Sequence, residues 1–181
     1  PEMTTPEVST PWDVVRYVIA GERLLVRAAE CGTSSLLEGV RLFKGNVDYE
    51  TRRSWGTHES ILVIVATGVH LTRLIPHLVS RLVYTGAGGF DPFSPGLDFT
   101  LSPRALFISE AVSDASTHSR GILHTRDEPL GVGPYRRLHL ICGESLCSQQ
   151  AMWLKTAATV MITAMLDGGV NVGEGMALKD P

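Results

Sequence analysis

The sequence predicts an α+β fold in which helices pack on one face of a largely antiparallel sheet. Three observations predict it. Short runs rich in β-branched and aromatic residues recur through the middle of the chain, a long stretch of helical periodicity lies on either side of them, and strict strand–helix alternation is rare.

Taken in order, Thr10 can cap a helix over WDVVRYVIAGERLLVRAAE, Pro11 suits its first turn, and Asp13 complements the positive end of the dipole. Cys31-Gly32 ends it. Val14, Val15, Val18, Leu25 and Val26 fall broadly on one face, so this helix is expected to cover a sheet. EGVRLFKGNVD reads as a strand running into a turn at Gly45-Asn46, and SWGTHESILVIVA as the next strand. TRLIPHLVSRLVY, Thr72 to Tyr84, reads as helical with Pro76 in its first turn or at a kink. GAGGFDPFSPG holds four glycines and two prolines in eleven residues and is expected to be a loop. Phe99 to Ser109, GILHT and YRRLHLICG supply further short strands. SQQAMWLKTAATVMITAMLDGG is a strongly amphipathic helix stopped by glycine.

Composition bounds the function. With 181 residues, 44% hydrophobic and 19% charged, the chain has the content of one ordinary domain with a sizeable core. A net charge of -3 gives no overall basic field, so nucleic acid is not an expected partner. Three cysteines without a C-x-x-C pair point to a reducing compartment and a cytoplasmic location. Lys155 interrupts the longest apolar run, so no membrane span is expected. Pro1 stands first with no basic-then-apolar leader, and processing or truncation of the natural start is expected.

Four short clusters combine acids, histidines and arginines: PEMTTPE, GTHES, HTRDEP (His124 to Pro129) and YRRLH (Tyr135 to His139). On a strand, the odd spacing of Glu2 and Glu7 would put them on opposite faces, so at most one would enter a given site. Both could equally face solvent. In YRRLHLIC, alternation places Arg137, His139 and Ile141 on one face and Arg136, Leu138 and Leu140 on the other. A guanidinium beside an imidazole suits polyphosphate and metal, while an edge strand with one wet face is the plainer alternative. His58 by itself reads as a hydrogen-bonded histidine near the core before it reads as a ligand. HTRDEP is either an exposed turn or a strand end that aims Arg126 at a phosphate. Ser145 and the cysteines lack the context of a covalent nucleophile, and neither a P-loop nor a G-x-G-x-x-G motif occurs.

In this order, the blocks PEMTTPEVSTPWD, GNVD with SWGTHESILV, LIPHLVSRLVYTGAG, LSPRALFISEAVS, and ILHTRDEP with YRRLHLICGES resemble the Pup ligase and Pup deamidase/depupylase family, of the proteasome accessory factor A type. That family is related to glutamine synthetase and the carboxylate-amine ligases. The resemblance implies a glutamine synthetase-like curved sheet that cradles ATP and Mg2+ or Mn2+, with helices behind it. It implies that Glu2, His58 and His139 are metal ligands and that Arg126 and Arg137 contact nucleotide phosphates. Glu59 would face the other way as support, and Glu7 is a second supporting candidate. The implied chemistry is phosphorylation of the C-terminal glutamate of Pup by ATP, followed by attack of a lysine on a substrate protein. In the depupylase branch the same site hydrolyses the bond.

Three positions depart from the family pattern: Ser60 replaces an asparagine, Leu130-Gly131-Val132 replaces H-A-D, and Gly143 to Cys147 replaces G-D-x-N-M. GTHES is closer to the depupylase branch and ISEAVSDASTHSR to the ligase branch. A non-catalytic peptide-binding relative, and a ligase for another small amine or peptide, are the alternatives. Residues 1–181 are expected to be a glutamine synthetase-like catalytic domain cut at both ends, with the family's catalytic aspartate upstream of Pro1, and to be inactive by themselves.

Overall fold

The computed structural model describes residues 3–31, 40–64, 71–126 and 134–176. Helix α1 (Pro11–Cys31) is followed by the short strands β1 (Val47–Asp48) and β2 (Arg53–Ser54) and by β3 (Glu59–Val63). A 3-10 turn (Thr72–Leu74) leads into α2 (Ile75–Ser80) and α3 (Leu82–Thr85). A small ribbon, β4 (Gly89–Phe90) with β5 (Phe99–Thr100), precedes a second 3-10 turn (Pro103–Phe107) and the strands β6 (Ile108–Ser113), β7 (Arg120–His124) and β8 (Arg136–Leu140). Helix α4 (Gln149–Asp167) comes last among them.

Four strands form the main sheet in the order β3-β8-β7-β6. The β3–β8 pair is antiparallel and sets Glu59 opposite Leu140, Ser60 opposite His139, Ile61 opposite Leu138 and Leu62 opposite Arg137. Next, β8 pairs antiparallel with β7, where His124 faces His139, and β7 pairs parallel with β6. Since residues directly opposite share a face, the register sorts side chains into two layers. Val63, Leu138 and Leu140 turn back into a core with Ile122, Leu123, Leu74, Leu78, Cys142 and Leu166. Each fully buried aliphatic side chain there contributes about 1.5–3 kcal/mol. His58, Ser60, Leu62, Arg137 and His139 occupy the front.

The cap of α1 is as expected: Thr10 Oγ1 accepts from the Asp13 amide at 3.2 Å and donates to its carboxylate at 2.7 Å. Its packing is not. Val15 is buried with Leu146 and with Met152 of α4, Trp12 lies against Trp153 at 5.3 Å, and Leu25 and Val26 are exposed. The helix therefore covers another helix rather than a sheet.

Other expectations also change. Val40 to Lys44 form no strand, because they have no ladder partner among the described residues; Lys44 is held instead by Glu22 and the Leu146 carbonyl. SWGTHESILV divides into β2 and β3 because 55–58 bond elsewhere: Trp55 N–H to the Asn46 carbonyl and Thr57 N–H to the Gly143 carbonyl. The Phe99–Ser109 run is split by the 3-10 turn, whose cap is Ser102. Within GAGGFDPFSPG, Gly89 and Phe90 do pair as a strand.

The largest correction concerns α4. It is a helix capped by Ser148, as its composition requires, but its buried stripe is Met152, Lys155, Thr159, Thr163 and Leu166. Three polar residues lie at the centre of that stripe, while Leu154, Val160, Met161 and Met165 are exposed. The helix is turned by the charges beneath it rather than by its apolar residues.

Candidate functional site

His58 precedes β3, and alternation along the strand turns it and Ser60 to the front while Glu59 points back. Across the register from Ser60 stands His139. The rings of His58 and His139 meet edge to face with centroids 5.4 Å apart, and His124 meets His139 in the same manner from the other side at 5.0 Å. Arg137, two residues before His139 on the same face, brings Nη2 to 3.4 Å from the His139 Nδ1.

Two polar atoms here are buried without a hydrogen-bond partner among the described residues, Nδ1 of His124 and Nε of Arg137. Orphaned buried polar atoms are rare in a finished fold and mark a place where a ligand or water belongs. The front face thus offers imidazole nitrogens for a cation and a guanidinium for an anion, side by side.

Behind the same strand the charges are paired with one another, although Arg81 Nε is buried without a hydrogen-bond partner among the described residues. Glu59 accepts two hydrogen bonds from Arg81, at 2.8 and 3.1 Å, and lies 3.8 Å from Lys155 Nζ. Arg81 Nη1 also donates to Thr159 Oγ1 at 2.9 Å, and Lys155 donates to the Glu144 carbonyl at 3.0 Å. The Glu144 carboxylate in turn accepts from the amides of Ala87 and Arg104. Burial pushes the Glu59 carboxyl up, but Lys155 and Arg81 outweigh it and hold it below its ordinary value. Burial lowers the Lys155 ammonium against the opposing pull of Glu59. Arg104, beneath Gly56, donates to the Ile141 carbonyl and to Ser54; burial first, then Arg120, lowers it to about 10.

The residues picked from sequence divide clearly. His58, His139 and Arg137 are brought together. Arg126 stands exposed two residues beyond His124. Glu2 and Leu130 to Val132 lie outside the described residues. Glu7 is exposed in a segment without regular structure, so the strand-face argument does not apply to it; it lines an open depression with Val8, Ser9, Asp13 and Tyr17. Among the described residues, no three His, Cys, Asp or Glu side chains gather closely enough to hold an ion. The imidazoles of His58 and His139 therefore fit a divalent ion as part of a donor set, to be completed by oxygens from elsewhere.

Sequence reasoning gave no role to His124, Arg81 or Lys155. His124 lay inside HTRDEP, and its signal was only that a histidine ended a strand. The lysine inside AMWLKTAATVMITAML, followed at helical spacing by Thr159 and Thr163, was the available sign of a polar buried stripe.

The sheet order, the helices behind it and the basic, imidazole-bearing front define a glutamine synthetase-like fold, shared with solved structures of PafA. The chain belongs to the Pup-ligase family: the profile described as Pup-ligase protein matches residues 1–181. The Pup–protein ligase of Sanguibacter keddieii is 40% identical over 191 residues, covering 100% of this chain and 41% of that protein. The depupylase of Acidothermus cellulolyticus is 39% identical over 176 residues, covering 93% of this chain and 35% of the relative. The structure of the Pup ligase PafA in complex with ADP superposes with a TM-score of 0.79 at 33% identity, covering 93% of this chain and 39% of that one. PafA in complex with Pup gives a TM-score of 0.64 at 32% identity, covering 88% and 32%. The chain thus spans well under half the length of these relatives. No helix among the described residues is long and apolar enough to cross a membrane.

Proposed function

We propose that this chain is part of an ATP- and metal-dependent Pup ligase that works in the cytoplasm, joining the C-terminal glutamate of a Pup-like protein to a lysine of a substrate protein. The observation that carries the proposal is the meeting of His58 and His139 beside Arg137 on one sheet face, from segments far apart in sequence. Membership of the family, whose relatives include Pup–protein ligases and an ADP-bound PafA, supports this reading of that face.

In this proposal His58, His139 and Glu2 would hold Mg2+ or Mn2+, and Arg126 and Arg137 would grip phosphates. When bound, the ion supplies positive charge against the triphosphate. An imidazole that ligates through either nitrogen cannot also accept from Arg137 at Nδ1, so His139 as a ligand would leave Arg137 available for phosphate. The arginine then makes fork-like contacts to the transferring group, whose charge it stabilises. A carboxylate oxygen of the Pup glutamate attacks the γ-phosphorus and ADP leaves. The lysine amine next attacks the acyl carbon, phosphate departs, and the amine loses its proton. Residues 1–181 would form one portion of the catalytic domain, in keeping with the 41% share of the Sanguibacter relative that they cover.

A second reading, depupylase, is favoured by the 39% identity to the Acidothermus depupylase. One assay on the full-length parent protein separates them. With ATP, Mg2+, a peptide ending in Gly-Gly-Glu and a lysine-bearing protein, the ligase forms a covalent conjugate and releases ADP in step with it. Cleavage of a preformed conjugate without new conjugation would establish the second reading, and neither reaction would refute both.

A further inference from the structure

The buried charges behind β3 stand immediately under the site. From the geometry we infer that Glu59, Arg81 and Lys155 are positioning residues that fix His58 for metal binding, an inference that rests on the proposed role of His58. Arg81 is wholly buried and Lys155 and Glu59 nearly so, at side-chain exposures of 0%, 5% and 11%. A buried ion pair contributes little net stability compared with apolar side chains of the same shape, so stability alone is a poor reason for placing three charges there.

Position supplies a better one. The residue on each side of His58 is pinned: Thr57 N–H donates to the Gly143 carbonyl at 3.0 Å, and the Glu59 carboxylate is gripped by both Arg81 terminal nitrogens. Lys155 joins the two anchors, because it lies 3.8 Å from Glu59 and donates to the carbonyl of Glu144, the neighbour of Gly143. Fixed on both sides, the backbone of His58 has little freedom, and its ring is held against His139 before any ion arrives. Metal ligands held by supporting polar contacts bind more tightly because less order must be gained on binding. None of the three charged groups reaches the front face, so each acts through His58.

Mn2+ binding to the full-length parent protein, followed by the paramagnetic resonance of free Mn2+, tests this without relying on turnover. Glu59→Gln and Lys155→Met should each weaken Mn2+ binding by about tenfold or more. Thr163→Val, two helical turns from Lys155 on the same buried stripe, is the matched control: it should lower the melting temperature and leave Mn2+ affinity unchanged. Should Glu59→Gln fail to fold, Lys155→Met decides. Variants that melt earlier but bind Mn2+ like the parent would overturn the inference while leaving the site intact. A parent that binds no Mn2+, or binds it equally well as His139→Ala, would overturn the role of His58 and His139 and the inference with it.

Discussion

A Cβ added to Gly143 would stand 2.6 Å from Glu59 Oε1 and 3.0 Å from the Thr57 carbonyl oxygen. The glycine is there because a carboxylate and the backbone leading into β3 both press on it. Gly143→Ala should therefore destabilise the fold by about 1–3 kcal/mol, as overpacking does. It should also disturb the Arg81 clamp. Thermal melting of the variant reads the first effect, and an unchanged midpoint would show that the neighbours give way freely.

Arg137 should be replaceable by neither alanine nor lysine. Its terminal nitrogen touches His139 and its Nε is buried without a partner among the described residues, so the fork is poised for an acceptor. Lysine offers a point charge in place of a planar pair of donors. Nucleotide affinity measured by calorimetry should fall with Arg137→Ala and recover little with Arg137→Lys. Full recovery with lysine would mean that charge alone matters.

The pH dependence of stability follows from Glu59. Its carboxyl is held below 4.5, so between its folded value and 4.5 the folded chain binds fewer protons than the unfolded one. The stabilisation is complete above 4.5 and is lost as pH falls through the folded value. Chemical denaturation of Glu59→Gln and the parent at a series of pH values should show the difference between them shrinking below about 4.5. A constant difference would remove Glu59 from the acid response.

Removing the opposite partner is expected to be severe. Arg81 is wholly buried and donates to Glu59 and Thr159, so Arg81→Met leaves a carboxylate in the interior. Loss of one member of a buried pair costs about 3–5 kcal/mol. Denaturant titration checks this, and Leu140→Ala, at a site with 0% exposure, serves as a purely apolar comparison with an expected loss of about 2–5 kcal/mol.

Much of this molecule was legible in its sequence. Alternation in YRRLHL separates Arg137 and His139 from Leu138 and Leu140, and the structure divides them in that way. The Thr10 cap followed from local chemistry, whereas the Ser148 cap went unread. What escaped depended on contacts between distant segments. Nothing local tells that Val40 to Lys44 lack a ladder partner among the described residues, or that α1 meets α4 instead of a sheet. The family resemblance implied that Glu59 faces away from His58, yet its partners Arg81 and Lys155 come from two different helical segments. His124 went unassigned for the same reason: its place beside His139 is fixed by the β7–β8 register, which no spacing within HTRDEP encodes.

The pairing of β3 with β8 joins segments far apart in the sequence, and such non-local ladders close slowly during folding. His58 and His139 are strangers until that closure is complete. A cation that bridges them would consequently recognise the native state alone, and saturation at about a hundred times its dissociation constant would add roughly 2.7 kcal/mol to the protein's resistance to unfolding. Metal supply would then govern how long the protein survives as well as what it can do.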